Sequence, residues 1–161
     1  MVAHNDTQVV GLLGRNRLVD ELLLAGLEVS LPIRDRGVDI VAYVDLGEKV
    51  ETFRAYPIQL KASSKRYFVV DRKYAKFANI ILAYVWNLED PGHALTYALT
   101  YPEAACIAKN LGWTKTPSWE RGGYSTSHPT KKLVSLLEPY RMSPERWWLK
   151  ITSLSVRPTV R

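Results

Sequence analysis

Three polar residues stand at regular positions in two short apolar segments of the chain. Asp39 lies in GVDIVAY, and Gln59 and Lys61 lie two residues apart in PIQLKAS. Because side chains alternate along a β-strand, Gln59 and Lys61 share one face, and the apolar residues around them share the other. If the two segments pair as neighbouring strands, a carboxylate, an amide and an ammonium group converge at one end of a small sheet.

These groups suit metal-assisted hydrolysis of a phosphodiester. The Asp39 carboxylate, the Gln59 amide oxygen and the Leu60 carbonyl are hard ligands of the kind that Mg²⁺ or Mn²⁺ prefers. The Lys61 ammonium is suited to position or deprotonate water and to stabilise charge in the transition state. We therefore predict Asp39, Gln59 and Lys61 as catalytic residues, with Asp39, Gln59 and Leu60 as the metal ligands.

The elements predicted around these residues are those of an α/β domain with a mixed sheet. Apolar residues recur at helical spacing from about residue 7 to residue 25, and Gly26 supplies a stop. Extended stretches follow at 27–33, 38–45 and 50–62. Pro57 has no N–H to donate, so a bulge or a sheet edge is expected at Pro57, with the regular strand of the third stretch running from Ile58. The remaining predictions are a short helix over 71–77, strands over 79–86 and 93–100, and helices over 102–111, 130–138 and 144–149.

The succession of a helix, GVDIVAY and IQLK resembles the PD-(D/E)xK, or restriction-endonuclease-like, nuclease superfamily, in the variant that carries Gln-x-Lys. The layout is similar to archaeal Holliday-junction resolvases and looks closer still to uncharacterised bacterial nuclease-like proteins. The resemblance covers about residues 11–86 and implies an αβββαβ core. It implies that Asp39 is the metal aspartate, Gln59 the second ligand, Lys61 the catalytic lysine and Leu60 the carbonyl ligand.

One position departs from the pattern of that family. The relatives carry a glutamate on the first helix, and counting back eleven residues from Gly26 reaches Arg15 in this chain. Arg15 lies on the same helical stripe as Leu18 and Leu22, so it is expected to point into the site and is included among the catalytic candidates. A cation beside a single carboxylate lowers affinity for Mg²⁺. Either Arg15 holds the scissile phosphate or the site has lost activity, and whether the chain is an enzyme stays open.

Positive charge is concentrated in the C-terminal part of the chain. The net charge is +6, with 12 Lys/Arg and 12 Asp/Glu in residues 1–101 against 10 and 4 in residues 102–161. Such a region, rich also in Trp, is typical of a nucleic-acid surface, and equally of a solvated basic face over a Trp-containing core. The residues predicted to contact nucleic acid, in the first instance DNA, are Lys65, Arg66, Lys73, Lys76, Lys131 and Lys132.

Three functions are compatible with these patterns. The first is a Mg²⁺-dependent DNA endonuclease weakened by Arg15. The second is a nuclease-like protein that binds nucleic acid without cutting it, and the third is an adaptor whose basic, Trp-rich C-terminal part docks a protein. A length of 161 residues suits one domain, with a core over about 7–100 and a basic helical part over about 102–161. Neither a leader nor an apolar span is recognisable, which predicts a cytoplasmic protein with no membrane partner and allows a homodimer.

Overall fold

The structure is a computed structural model, and it describes residues 6–34, 36–44, 47 and 53–154. Short 3-10 helices occur between several of the regular elements. The elements in chain order are α1 (Thr7–Leu24), β1 (Glu28–Ser30), β2 (Ile40–Tyr43), β3 (Ala55–Ala62), β4 (Phe68–Asp71), a 3-10 helix (Arg72–Lys76), β5 (Ile81–Trp86), β6 (Leu95–Thr100), α2 (Tyr101–Asn110), α3 (Pro117–Glu120), β7 (Gly123–Thr126), α4 (Lys131–Leu137) and α5 (Pro144–Leu154).

The main sheet is mixed and has the strand order β1-β2-β3-β5-β6. Strands β1, β2 and β3 form an antiparallel meander, β5 runs parallel to β3, and β6 returns antiparallel to β5. A parallel pair needs a crossover connection, which here contains β4 and the 3-10 helix. The predicted α/β class, with a mixed sheet and C-terminal helices, is confirmed.

Apolar clusters cover both faces of the main sheet. On one face, Leu18 and Leu22 of α1 pack with Ile58 of β3 and with Trp147 and Ile151 of α5. The opposite face carries the aromatic residues of β5 and β6, covered by β4, α2 and α4. Every residue of β5 is buried, because consecutive side chains enter different clusters. The continuous apolar run in NIILAYVW is therefore the sequence signature of a central strand.

Helix α1 crosses β3 at Gly14. A Cβ atom at this position would lie 2.5 Å from the Cβ of Ala62 and 3.3 Å from a methyl group of Leu88. Only glycine permits so close an approach of helix and strand. The helix begins about two turns earlier, where the Asp6 side chain accepts hydrogen bonds from the first backbone N–H groups. The N-terminal half of α1 therefore lies beside the end of β3 that carries the predicted site.

The prediction that regular pairing begins at Ile58 is wrong. Strand β3 runs without interruption from Ala55, and Pro57 pairs with Val41 of β2. The Ile58 carbonyl accepts a hydrogen bond from the β2 side, so the backbone nitrogen of Pro57 points the other way. Pairing with β5 starts only at Ile81, opposite Ile58. The missing N–H of the proline therefore removes no hydrogen bond of the sheet.

A second, two-stranded sheet was not predicted. Strand β4 pairs antiparallel with β7, and neither strand is among the elements predicted from the sequence. The second sheet lies over the aromatic face of the main sheet, where Phe68 and Val70 enter the core. Helix α5 is also longer than expected and extends to Leu154. Among the described residues, no helix has the length and apolar character needed to cross a membrane.

Candidate functional site

The Asp39 carboxylate closes the end of the β2–β3 ladder. The Asp39 N–H donates to the Ile58 carbonyl at 2.9 Å, and Asp39 Oδ2 accepts the Leu60 N–H at 2.7 Å. The side chain thus takes the place of the backbone carbonyl that β2 no longer supplies. Gln59 Nε2 donates to the same oxygen and, at 3.2 Å, to the Leu60 carbonyl. The structure therefore brings Asp39, Gln59 and Leu60 together, while their roles as ligands stay predictions.

Gln59 is one of three buried polar side chains among the described residues, with 8% of its surface exposed. Its amide group faces the backbone turn before β2. Gly37 in this turn has φ +92°, a conformation that favours glycine, and a Cβ there would be 3.8 Å from Gln59 Oε1. The turn thus folds back over Gln59 and fixes the position of the amide.

Lys61 lies on the same strand face as Gln59, as the alternation predicts. Its ammonium group lies 5.6 Å from the centroid of the Tyr74 ring, on the side of the sheet that faces the 3-10 helix. The Lys73 ammonium lies 5.0 Å from the same ring. Two cations therefore meet at one aromatic side chain next to the Asp39 and Gln59 pair.

Arg15 approaches Asp39 from the opposite side of the sheet. Arg15, Asp39, Leu60 and Ala62 line one cleft of about 510 Å³ beside α1. The Nε atom of Arg15 is buried and has no hydrogen-bond partner among the described residues. The expectation from the helical stripe, that Arg15 faces the site, agrees with this position. Arg15 and Lys61 thus lie on different faces of the sheet, with the Asp39 carboxylate between them.

A second cleft continues the first along α1. It has a volume of about 620 Å³ and shares Thr7 and Ala62 with the cleft of Arg15. Lys65, Arg66 and His128 line it, and the first two are among the residues predicted to contact nucleic acid. We call the two adjoining clefts the basic groove.

A third cleft lies on the other side of the sheet, against the 3-10 helix. We call it the Phe77 pocket. It has a volume of about 360 Å³ and is lined by Arg36, Gly37, Val38, Pro57, Lys73, Tyr74, Lys76, Phe77, Asn79 and Ile80. Lys73 pairs with Asp71 at 3.1 Å, and this hydrogen bond raises the pKa of Lys73 above its ordinary value. The two predicted nucleic-acid contacts Lys73 and Lys76 therefore share one concave surface.

Lys131 and Lys132 lie apart from these clefts. Both are exposed in the first turn of α4, and Lys132 Nζ donates to the Asn110 carbonyl at 3.3 Å. Neither lysine lines the basic groove or the Phe77 pocket. Their predicted contact with nucleic acid requires a footprint that extends beyond the groove.

The tryptophans of the C-terminal part belong mainly to the core. Trp147 is fully buried, and Trp113 and Trp119 pack against the aromatic cluster. Trp148 is exposed, with 40% of its surface open. The adaptor hypothesis, in which the basic, Trp-rich C-terminal part docks a protein, stays a prediction, and Trp148 is the exposed tryptophan among the described residues of that part.

Glu21 of α1 connects three elements through polar contacts, and this role was not predicted from the sequence. Its carboxylate accepts hydrogen bonds from Thr96 Oγ1 at 2.8 Å and from Trp147 Nε1 at 3.0 Å, and Arg17 Nε lies 3.0 Å away. These contacts join α1, β6 and α5. Glu21 is thus engaged with β6 and α5, and it does not line the cleft of Arg15 and Asp39.

Arg36 and Phe77 were also overlooked. Both line the Phe77 pocket, but they are far apart in sequence, and neither belongs to a recognised motif. The sequence did offer one signal for Phe77. This residue follows two lysines, Lys73 and Lys76, and it fits no apolar periodicity, which is typical of an aromatic residue at the surface. The residues that complete a concave surface are seen only once the chain is folded.

Comparison with protein-family models, with curated proteins and with solved structures finds no match for this chain. Among the described residues, no group of three or more His, Cys, Asp or Glu could hold a metal ion. The predicted ligand set accordingly consists of one carboxylate and two neutral oxygens.

Proposed function

We propose that this chain is a nuclease-like protein that binds DNA along the basic groove and hydrolyses phosphodiester bonds at Asp39 with the help of Mg²⁺, slowly because Arg15 shares the cleft. The observation that carries the proposal is that Asp39 and Leu60, joined by hydrogen bonds that also engage Gln59, line one groove with Arg15, Lys65 and Arg66.

The topology supports the proposal. A helix, an antiparallel meander and a crossover to a strand parallel with β3 follow one another in the order that the αβββαβ core of the PD-(D/E)xK superfamily requires. Two differences accompany the likeness. The crossover contains β4 and a 3-10 helix in place of an α-helix, and β6 adds a further antiparallel strand.

The basic groove has the chemistry to hold a phosphate backbone. Arg15, Lys65 and Arg66 place three positive charges along it, while Asp39 supplies the one carboxylate among its described lining residues. The buried Nε–H of Arg15 has no hydrogen-bond partner within the described part of the chain, and a phosphate oxygen would satisfy this donor. Contacts of this kind position DNA without reading its sequence.

The oxygen donors fit a hard cation, though weakly. The Asp39 carboxylate, the Leu60 carbonyl and, after rotation of its amide, Gln59 Oε1 would hold Mg²⁺. When bound, the ion would supply Lewis-acid stabilisation and an activated water. Lys61 lies on the Gln59 face, across the sheet from Arg15, so it would stabilise negative charge only on a phosphate that extends past Asp39 to that face. With one carboxylate and Arg15 nearby, the affinity for the ion is low.

Binding without cleavage is the second candidate, and a specific observation favours it. Asp39 Oδ2 already accepts two hydrogen bonds, from Leu60 N–H and from Gln59 Nε2. The carboxylate therefore has a structural task at the end of the ladder. Strands held in this way could support a DNA-binding surface that has no hydrolytic activity.

Nicking of supercoiled plasmid separates the two candidates. The full chain is incubated with plasmid in Mg²⁺, in Mn²⁺ and in EDTA, beside the variant Lys61→Met, which keeps the aliphatic stem on Tyr74. The proposal predicts slow nicking that needs the metal and is lost in Lys61→Met, with DNA affinity retained. Metal-independent nicking, or equal nicking by the variant, would indicate a contaminant. Binding without any nicking would select the second candidate.

A further inference from the structure

The Phe77 pocket combines an exposed aromatic ring with positive charge. Phe77 has 46% of its surface exposed, which is unusual for a phenylalanine that terminates a helix beside a core. Lys76 Nζ lies 5.2 Å from the centroid of the Phe77 ring. Val38, Pro57 and Ile80 form apolar walls around it. A flat apolar group with a neighbouring anion fits this combination, and a nucleotide has both.

The charged residues that line the pocket, among those that the structure describes, are all positive. Arg36, Lys73 and Lys76 line it, and Lys61 reaches Tyr74, which forms part of its wall. Asp71 offsets one of these charges through its pair with Lys73. Apolar protein ligands without negative charge would leave the remaining cations unpaired, whereas a nucleic acid strand would pair them.

The pocket also adjoins the candidate site. Gly37, one of its lining residues, lies against Gln59 Oε1, and Val38 directly precedes Asp39. The basic groove reaches Asp39 from the α1 side of the sheet, and the Phe77 pocket reaches Gln59 from the other side. A duplex in the groove with a nearby unpaired nucleotide would be able to occupy both.

From these contacts we infer that the Phe77 pocket receives an unpaired base, which stacks on the Phe77 ring while Lys73, Lys76 and Arg36 hold the adjoining phosphates. The substrate class is thus DNA with a single-stranded segment next to a duplex. This inference rests on the proposed function, because it assumes that the same DNA lies at Asp39. Stacking on an aromatic ring is tolerant of base identity, so we expect little sequence preference.

Fluorescence anisotropy in EDTA tests the inference without any cleavage. The labelled probes are a short blunt duplex and the same duplex with a single-stranded thymidine tail. The natural chain is compared with Phe77→Ala, with Phe77→Trp and with Phe53→Ala, a control that removes another exposed phenylalanine. We expect the tail to raise affinity, and we expect Phe77→Ala to weaken binding of the tailed probe about tenfold while leaving the blunt duplex unchanged. Phe77→Trp should keep the gain, and the tail should quench the fluorescence of the new indole.

The outcomes distinguish this inference from the function on which it rests. Equal affinity of the natural chain for both probes, or an equal loss for both probes in Phe77→Ala, would overturn the pocket assignment and leave duplex binding intact. A loss of similar size in Phe53→Ala would also overturn it. No binding of either probe would overturn the proposed function together with this inference.

Discussion

At the scale of single residues, the structural task of Asp39 can be measured apart from catalysis. Replacing Asp39 with Ala leaves the Leu60 N–H without its acceptor at the end of β2. We expect the free energy of unfolding to fall by about 1–3 kcal/mol, the cost of an unsatisfied buried donor. Urea unfolding followed by circular dichroism measures it. Asp20→Ala on the exposed side of α1 is the control, and equal effects of the two changes would contradict the ladder-closing role.

The charge of Arg15 is expected to control how strongly the proposed site binds a cation. Arg15→Glu changes the local charge by two units beside Asp39 and supplies a second carboxylate to the cleft. We expect little nicking by the natural chain at low Mg²⁺ and roughly a tenfold or greater gain in the variant, measured on supercoiled plasmid.

Two further variants complete the test of Arg15. Arg15→Gln removes the positive charge without adding a carboxylate, and we expect it to have little activity. Arg15→Glu combined with Lys61→Met should return nicking to background. If the natural chain cuts rapidly and Arg15→Glu abolishes the activity, Arg15 is instead a catalytic residue that holds the phosphate.

At the scale of elements, the crossing of α1 over β3 depends on Gly14. Gly14→Ala places a methyl group 2.5 Å from Ala62 Cβ, so helix and strand must separate. We expect a loss of about 1–3 kcal/mol in the free energy of unfolding, measured by urea titration. Gly11→Ala is the matched control. A Cβ there meets nothing within 4 Å, and the better helix propensity of alanine should stabilise the chain by about 0.5–1 kcal/mol.

A double variant identifies the cause of the Gly14 effect. Ala62→Gly removes the atom with which the new methyl group collides, so Gly14→Ala should cost less in that background than in the natural chain. If Gly14→Ala stabilises the protein as much as Gly11→Ala does, the close approach of α1 and β3 is absent in solution.

The sequence predicted correctly those elements whose apolar pattern fits either a helix or a strand but not both. The stripe of α1 and the unbroken apolar run of β5 predicted both elements to within two residues. Strands β4 and β7 escaped because they contain four residues each, and β7 carries Gly123 and polar side chains. Their pairing depends on residues more than fifty positions apart, which no local pattern records.

The candidate site divides in the same way. Alternation and the meander were sufficient to bring Asp39 next to Gln59, because both follow from strand geometry. The sequence did not indicate that Gln59 and Leu60 would engage the same carboxylate oxygen, since this depends on where β2 ends. The Phe77 pocket was also beyond reach, because the crossover brings its residues together from three segments of the chain.

At the scale of the whole molecule, α5 is tied to α2 by an ion pair that depends on pH. Lys150 Nζ lies 2.7 Å from Glu103 Oε2. Burial raises the pKa of Glu103, but the hydrogen bonds from Lys150 and from the Thr100 N–H outweigh it and hold the pKa below its ordinary value of 4.5. Stability from the ionised carboxylate is therefore complete above that value and is lost as the pH falls through the lowered pKa.

Lys150→Met tests this coupling. We expect it to lower the free energy of unfolding by about 1 kcal/mol at neutral pH, because a charged hydrogen bond is lost at a half-buried position. The difference from the natural chain should shrink at acid pH, as Glu103 becomes protonated in both. Urea titrations at neutral pH and at steps below pH 4.5 measure it. Lys109→Met, at an exposed position of α2, is the control. A stability difference between Lys150→Met and the natural chain that does not change with pH would contradict the assignment.

The distribution of charge over the molecule leads to the last prediction, on the extent of the DNA footprint. Lys65 and Arg66 line the basic groove, whereas Lys131 and Lys132 lie outside it on α4. Each double substitution by alanine removes two of the charges that make the net charge +6, so the overall field changes equally. If the groove is the footprint, Lys65→Ala with Arg66→Ala should lower the slope of log affinity against log salt by about 2, measured by anisotropy.

The second pair then shows whether the basic C-terminal part takes part in binding. The excess of Lys and Arg in that part predicts that it extends the footprint. Lys131→Ala with Lys132→Ala should then also weaken binding and lower the salt slope. The effect should be smaller than that of the groove pair, because only the groove adjoins Asp39. The groove lining ends at His128, before α4 begins, so α4 lies outside the groove. If the α4 pair weakens binding more than the groove pair does, the DNA lies mainly on α4 and not at Asp39. In that case the protein would hold DNA on its C-terminal face, and Asp39 would have only its structural task in the sheet.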